Sequence, residues 1–181
     1  MVKEGNRMKN FIIENGILLT YALACFIFIN INVLHVSADQ KHLIFSTWEG
    51  FEVDKCASIW LINKFIDQNA EIKFYPKGKE IQEGILFDTP DAKFRRYFNM
   101  STYESLIRHY KIKDPNLIYI GRIIHDIEIN TWEKKVLKET CTVRDAVNKI
   151  IWETNKNDKL IKKINQYFDS LYKGYSDASK K

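Results

Sequence analysis

The sequence predicts an α+β fold, in which a small sheet from the N-terminal half of residues 39–175 packs against a mainly helical C-terminal half. Two observations lead to this prediction. Short β-branched and aromatic segments are concentrated before residue 90, and longer segments with apolar residues at helical spacing follow residue 100. The chain has 181 residues, a length that suits one domain of ordinary size.

Three short strands and one helix are predicted in the first half. The strands cover residues 42–48, 70–76 and 84–90, and we expect the second and third to lie side by side in one sheet. Residues 54–67 carry apolar side chains at helical spacing, with Asp54 as the predicted N-cap.

Two helix starts are marked by capping residues in the middle of the chain. Ser101 and Glu104 have the spacing of a capping box, so a helix is predicted to begin there. Asp114 is the predicted cap of the next helix because Pro115 follows it at the first helical position.

Two further helices complete the predicted domain. They cover residues 142–155 and 157–175, and Gly174 is expected to end the second one. Residues 176–181 are predicted to form a disordered tail.

The first 38 residues have the layout of a secretory signal peptide. Basic residues precede the apolar run of residues 17–34, and the small residues Val36, Ser37 and Ala38 follow it. Cleavage there would leave Asp39 as the N-terminus and place the protein in the periplasm or outside the cell. Two alternatives remain: an uncleaved anchor in the inner membrane, which would be the chain's only membrane contact, and a lipoprotein modified at Cys25.

Charge and cysteine content limit the partners of the exported chain. Its basic excess is slight and spread along solvated helix faces, so we expect no nucleic-acid partner. An oxidising compartment would permit Cys56 and Cys141 to pair. The alternative is that both are small buried hydrophobic residues.

The segment "GRIIHDIEIN" places ionisable residues on an otherwise apolar helix. Helical geometry gathers five apolar residues into a core stripe, namely Leu117, Ile120, Ile123, Ile124 and Ile127. Arg122, His125 and Asp126 lie opposite this stripe, with Glu128 on the flank. His125, Asp126 and Glu128 are therefore a candidate site for a divalent metal ion or for acid/base chemistry. The alternative is a structural, hydrogen-bonded histidine.

Four motifs in order carry a resemblance to a known family: "DKCASIWLINKFID", "FDTPDAKFRRYFNMSTYESL", "KIKDP" and "IIHDIEI". With them, nearly all of residues 39–181 resembles the chromate resistance exported protein family, whose domain also forms the C-terminal half of cytoplasmic chromate-resistance regulators. The resemblance implies an exported protein associated with chromate resistance, but it does not imply a particular reaction. The chain departs from the family at Ser58, where cytoplasmic relatives usually have cysteine, and at Phe98, where many members have histidine.

Three hypotheses for function follow. In the first, Arg95 and Arg96, near a predicted helix start, bind a small anion such as chromate, because guanidinium and free N–H groups suit a dianion. The second is a metal-dependent hydrolase or other enzyme centred on His125, Asp126 and Glu128.

In that second hypothesis Asp54 or Asp88 contributes a further carboxylate, and Arg122 lies beside the site. The third hypothesis is a structural or interaction module without catalysis. It rests on the abundance of aromatic residues, including Trp48, Trp60, Trp132 and Trp152.

Overall fold

The computed structural model describes residues 42–130 and 134–178. The predicted signal peptide, Trp132 and residues 179–181 lie outside this part of the chain. The described part has the predicted α+β fold, with a small sheet followed by a mainly helical region. None of its helices is both long and apolar enough to span a bilayer.

The sheet contains three parallel strands: β1 (Ile44–Trp48), β2 (Glu71–Tyr75) and β3 (Ile85–Leu86). Their order is β2-β1-β3, with Phe45 of β1 in register with Ile72 on one side and Ile85 on the other. The prediction that the second and third strands are neighbours is therefore wrong. β1 separates them because its largely buried backbone forms hydrogen bonds along both edges.

Five α-helices surround and follow the sheet in the described ranges. They are α1 (Val53–Leu61), α2 (Thr102–His109), α3 (Pro115–Glu128), α4 (Thr140–Trp152) and α5 (Asn157–Ala178). A π-helical turn over Ile62–Ile66 extends α1.

Two of the predicted helix ends are displaced. The fourth helix begins two residues earlier than predicted, at Thr140. The last helix continues through Gly174 to Ala178, because a glycine lowers helix stability without preventing continuation. Part of the predicted tail is thus helical.

The two caps predicted from the sequence are confirmed. The Ser101 hydroxyl accepts the N–H of Glu104, and the Glu104 carboxylate accepts the N–H of Ser101, which completes the capping box of α2. One Asp114 oxygen accepts the N–H groups of Asn116 and Leu117 at the start of α3. These interactions need only local chain geometry, which explains why spacing was sufficient to predict them.

The core is built around α1, which is buried along its whole length. The indole of Trp60 stacks on Phe168 at 5.3 Å between ring centroids, and its N–H donates to Asp169. The five apolar residues of the predicted stripe on α3 are all buried against this core. Helix periodicity therefore identified the correct face of α3.

The two cysteines described here do not pair. Cys56 is buried and Cys141 is exposed, and both are free thiols. Burial raises the pKa of the Cys56 thiol. Of the two alternatives, pairing does not occur, and burial holds for Cys56 only, because α1 encloses Cys56 in the core, whereas Cys141 lies on the outer surface of α4.

Ser58 leads to a prediction about stability. Its side chain is fully buried, and its hydroxyl has no hydrogen-bond partner within residues 42–130 and 134–178. Ser58→Ala should raise the free energy of unfolding by about 1 kcal/mol, because a buried hydroxyl without a partner has lost its hydration. Urea denaturation measures the change.

Ser105→Ala is the matched control, because the buried Ser105 hydroxyl donates to the carbonyl of Thr102. Its loss should lower the free energy of unfolding by about 1 kcal/mol. A less stable Ser58→Ala protein would contradict the prediction.

Candidate functional site

A cluster of ionisable side chains lies beyond the carboxyl ends of β1 and β3. β1 leads into α1 and on to β2 at one side, whereas β3 pairs with the other side of β1. The chain thus reverses its winding direction at β1, and this edge of a parallel sheet is a common ligand-binding position. We call the group formed by Glu52, Asp54, Lys55, Asp88, Arg96 and Glu128 the charged cluster.

Asp54 is the fully buried centre of the charged cluster. Its two carboxylate oxygens accept the N–H groups of Thr102 at 2.7 Å and Tyr103 at 2.9 Å. Its own N–H donates to Glu128 at 3.3 Å. The prediction that Asp54 caps its own helix is wrong: Glu52 is the N-cap residue of α1, and Asp54 satisfies the first turn of α2 instead.

Lys55 and Asp88 form a second buried contact in the charged cluster. The Lys55 ammonium donates to the carbonyls of Trp48 at 2.8 Å and Gly50 at 2.7 Å, and it lies 3.5 Å from an Asp88 oxygen. The other Asp88 oxygen accepts the hydroxyl of Thr102 at 2.9 Å. Asp88 has a φ of +52°, a left-handed conformation that aspartate tolerates better than most residues.

Arg96 joins three carboxylates of the charged cluster. Its guanidinium lies 2.8 Å from Glu128, 2.9 Å from Glu52 and 3.8 Å from Asp54. Arg95 has different surroundings, because its guanidinium donates to the carbonyl of Ala92 and lies 4.8 Å from the centroid of the Tyr97 ring.

Both predicted arginines border one open cleft of about 270 Å³. Glu52, Asp88 and Thr89 complete most of its lining. The two guanidinium groups therefore share a cleft, but Arg96 is also held by carboxylates.

Burial shifts the protonation of the carboxyl groups in the charged cluster. It raises the pKa of Asp54 to about 7, although the N–H groups of Tyr103 and Thr102 oppose this shift. Burial also raises the pKa of Asp88 and of Glu128, against the opposing effects of Lys55 and Arg96 respectively. Raised carboxyl pKa values near an open cleft are typical of functional sites, so the cluster is the strongest candidate site in the described chain.

His125, Asp126 and Glu128 do not converge on one point. The His125 Nδ1 lies 2.9 Å from Glu104, the residue that also completes the capping box of α2. Glu128 faces Arg96 in the charged cluster.

Asp126 is buried among hydrogen-bond donors on the other side of α3. Its carboxylate accepts the hydroxyl of Thr140, the amide of Asn130 and the N–H groups of Val136 and Leu137. Burial opposes ionisation, but these hydrogen bonds outweigh it and lower the pKa of Asp126. Within residues 42–130 and 134–178, no three His, Cys, Asp or Glu side chains are arranged to hold a metal ion.

Arg122 lies one turn before His125 and is exposed. Both residues line a wide pocket of about 710 Å³ together with Glu104, Ile129 and Leu137. Arg122 is therefore near His125, as predicted, but not in the charged cluster.

Sequence reasoning missed Glu52 and Lys55 as parts of the charged cluster and Glu104 as the partner of His125. Glu104 was recognised only as a helix cap, and its contact with His125 depends on how α2 packs against α3. Lys55 adjoins Asp54 in the sequence, but a lysine in a helix is usually exposed, so spacing alone did not distinguish it.

Comparison with known protein families identifies the chain. The family model "ChrB, C-terminal domain" matches residues 45–175, from β1 to the last helix. The chain belongs to the ChrB family. This membership confirms the resemblance described above and gives the protein a role related to chromate resistance. No curated protein and no solved structure gives a significant match to the sequence.

The ChrB match includes all of the charged cluster and both departures noted from the sequence. Ser58 lies in the core on α1, whereas the Phe98 side chain is 93% exposed. A histidine at position 98 would project from an exposed turn. Residue 98 lines neither the cleft nor the pocket beside His125.

Asp54 leads to a prediction about pH. Its pKa is about 7 in the folded protein and about 4 in an unfolded chain. Between these values the folded state binds more protons, so stability falls as pH rises from about 4 to about 7. Asp54→Asn should remove this pH dependence. Between about pH 5 and 8, the free energy of unfolding of the wild type should therefore fall by a few kcal/mol relative to that of the variant.

Urea denaturation of both proteins at several pH values tests this expectation. Asp126→Asn is the control: the hydrogen bonds of Asp126 hold its pKa below the ordinary value, so this carboxyl group does not titrate in the tested pH range. That variant should lose stability but keep the wild-type slope between about pH 5 and 8. Parallel curves for wild type and Asp54→Asn would contradict the prediction.

Proposed function

We propose that this ChrB-family protein is exported and binds a small oxyanion such as chromate in the open cleft of the charged cluster. Arg95 and Arg96 are the proposed anion-binding residues, with the Thr89 side chain beside them. Guanidinium groups suit the task because they donate several hydrogen bonds in one plane and remain charged at all physiological pH values.

The observation that carries this proposal is the contact between Glu52 and Arg96. The Glu52 side chain is 63% exposed, yet its carboxylate lies 2.9 Å from the Arg96 guanidinium at the mouth of the cleft. An anionic group of the protein thus occupies the position proposed for the ligand. Exposed ion pairs contribute only about 0–1 kcal/mol, so an incoming oxyanion can replace Glu52 at small cost.

Charge and size both fit a small oxyanion. With Glu52 displaced, the three remaining carboxyl groups of the charged cluster face Lys55 and the two arginines. Burial raises the pKa of all three carboxyl groups, and for Asp54 to about 7, which reduces the negative charge of Asp54 near neutral pH. The cleft volume of about 270 Å³ lies below the ~300–1,000 Å³ range of pockets for drug-sized ligands.

The divalent metal hypothesis has less support. The oxygens of Asp126 are occupied by hydrogen bonds, and Glu128 is paired with Arg96. A metal-dependent enzyme centred on His125, Asp126 and Glu128 would require these interactions to break.

The interaction-module hypothesis also has less support among the described residues. Trp60 belongs to the core, and the Trp48 indole donates to the carbonyl of Lys79. Trp152 is 89% exposed and Phe98 is 93% exposed, but individual exposed aromatic side chains are common on folded proteins.

Anion binding can be measured by isothermal titration calorimetry on the full-length protein. Sulfate should be titrated first, because it has the shape and charge of chromate without oxidising the free thiol of Cys141. Arg95→Gln should weaken binding about 10-fold or more, because a charge-assisted hydrogen bond is lost. Glu52→Gln should strengthen binding about two- to fivefold, because it removes the competing carboxylate.

Arg122→Gln is the matched control, since Arg122 is an exposed arginine that lines a different pocket. It should bind sulfate as the wild type does. The proposal fails if neither sulfate nor chromate produces heat, or if Arg95→Gln and wild type bind equally. Stoichiometric metal that is lost on His125→Ala would instead favour the metal site.

Export makes a separate prediction about processing. Expression with cell fractionation and N-terminal sequencing should recover a periplasmic or secreted chain that begins at Asp39. Ala38→Arg should block cleavage, because the exit site requires a small residue. An uncleaved chain in the membrane fraction would favour the anchor, and a full-length cytoplasmic chain would contradict export.

A further inference from the structure

A second pocket lies on the other side of the segment that carries Arg95 and Arg96. It has a volume of about 610 Å³ and lies between this segment and α2. Its principal lining residues are Lys93, Phe94, Tyr97, Met100, Arg108 and His109. We call it the basic aromatic pocket.

The basic groups of this pocket have no anionic partners in the part of the chain that the structure describes. Neither Lys93 nor Arg108 forms an ion pair with any carboxylate in the described ranges 42–130 and 134–178, and no Asp or Glu lines the pocket. The Lys93 ammonium lies 3.4 Å from Nε2 of His109. Because an ammonium can only donate, a hydrogen bond between these two groups requires His109 to accept at Nε2. The pocket therefore has a net positive charge, unlike the cleft of the charged cluster.

Aromatic and apolar side chains form the rest of the wall. The Phe94 ring packs edge-on against His109 at 5.0 Å between centroids, and the Lys93 ammonium lies 5.2 Å from the Phe94 centroid. Tyr97 and Met100 lie at the two ends of a turn, and their backbones pair with each other. Phe94 is only 3% exposed, so the half-buried Tyr97 and Met100 offer the contact to a flat apolar group, which a bare inorganic anion does not have.

The volume also distinguishes this pocket from the cleft. About 610 Å³ lies within the ~300–1,000 Å³ range of pockets that hold small organic molecules. The cleft, at about 270 Å³, does not.

We infer that the basic aromatic pocket binds a small organic anion, in which a carboxylate, phosphate or phosphonate group contacts Lys93 and Arg108 while an aromatic or apolar body packs beside Tyr97 and Met100. The site is separate from the oxyanion cleft proposed above. It does not require that cleft to be functional.

Phenylphosphonate is a suitable probe because it combines a tetrahedral anion with one aromatic ring. Titration into the full-length protein should give saturable binding, with NMR shifts at Lys93, Tyr97 and Arg108. Inorganic phosphate should bind at least about fivefold more weakly, and benzyl alcohol should not bind measurably. The double variant Lys93→Gln/Arg108→Gln should lose at least about tenfold in affinity, because both charge-assisted contacts are removed.

Glu52→Gln separates the two proposals, because Glu52 lines the cleft and not the basic aromatic pocket. It should strengthen sulfate binding in the cleft and leave phenylphosphonate binding unchanged. Equal phenylphosphonate affinity in wild type and Lys93→Gln/Arg108→Gln, or no binding by wild type, would overturn the inference. Phosphate that binds as tightly as phenylphosphonate would overturn the assignment to an organic anion.

Discussion

The buried carboxylate of Asp54 is the interaction on which the rest of the site depends. A charge without water needs several hydrogen-bond or ionic partners, and Asp54 obtains them from the first turn of α2 and from Arg96. The same N–H groups would be unsatisfied at a buried helix start if Asp54 were absent. One side chain therefore ties α1 to α2, and its backbone N–H ties α1 to Glu128 on α3.

This constraint explains why charged groups collect where the parallel strands end. The end of β1 places the start of α1 at this edge of the sheet, and the end of β3 places Asp88 beside it. The carboxyl groups are enclosed by packing, so their pKa values rise. Removing one partner of such a network costs more than the network contributes as a whole, because it leaves another charge buried and unpaired. The cluster is thus rigid, except at Glu52, whose exposed carboxylate can leave Arg96 at little cost.

The short segment between β3 and α2 separates two environments of different electrostatic character. On one side, carboxylates surround Arg96, and the cleft is small. On the other side, in a larger, partly aromatic pocket, Lys93 and Arg108 have no carboxylate beside them among the residues that the structure describes. Residues that are neighbours in the sequence therefore lie in two different environments, one rich in carboxylates and one basic. A role in chromate resistance gives anion recognition at such positions a clear context.

The sequence by itself determined the α+β class, the capping box at Ser101 and Glu104, and the buried stripe of α3, because each depends on local hydrogen bonds or on helix periodicity. The four motifs determined the family. Only the tertiary structure decided that β1 lies between the other two strands, that Asp54 caps α2, and that His125, Asp126 and Glu128 face different partners. These features arise from contacts between residues far apart in the chain. Spacing along one helix specifies the direction of a side chain but not the neighbour that packing brings to it.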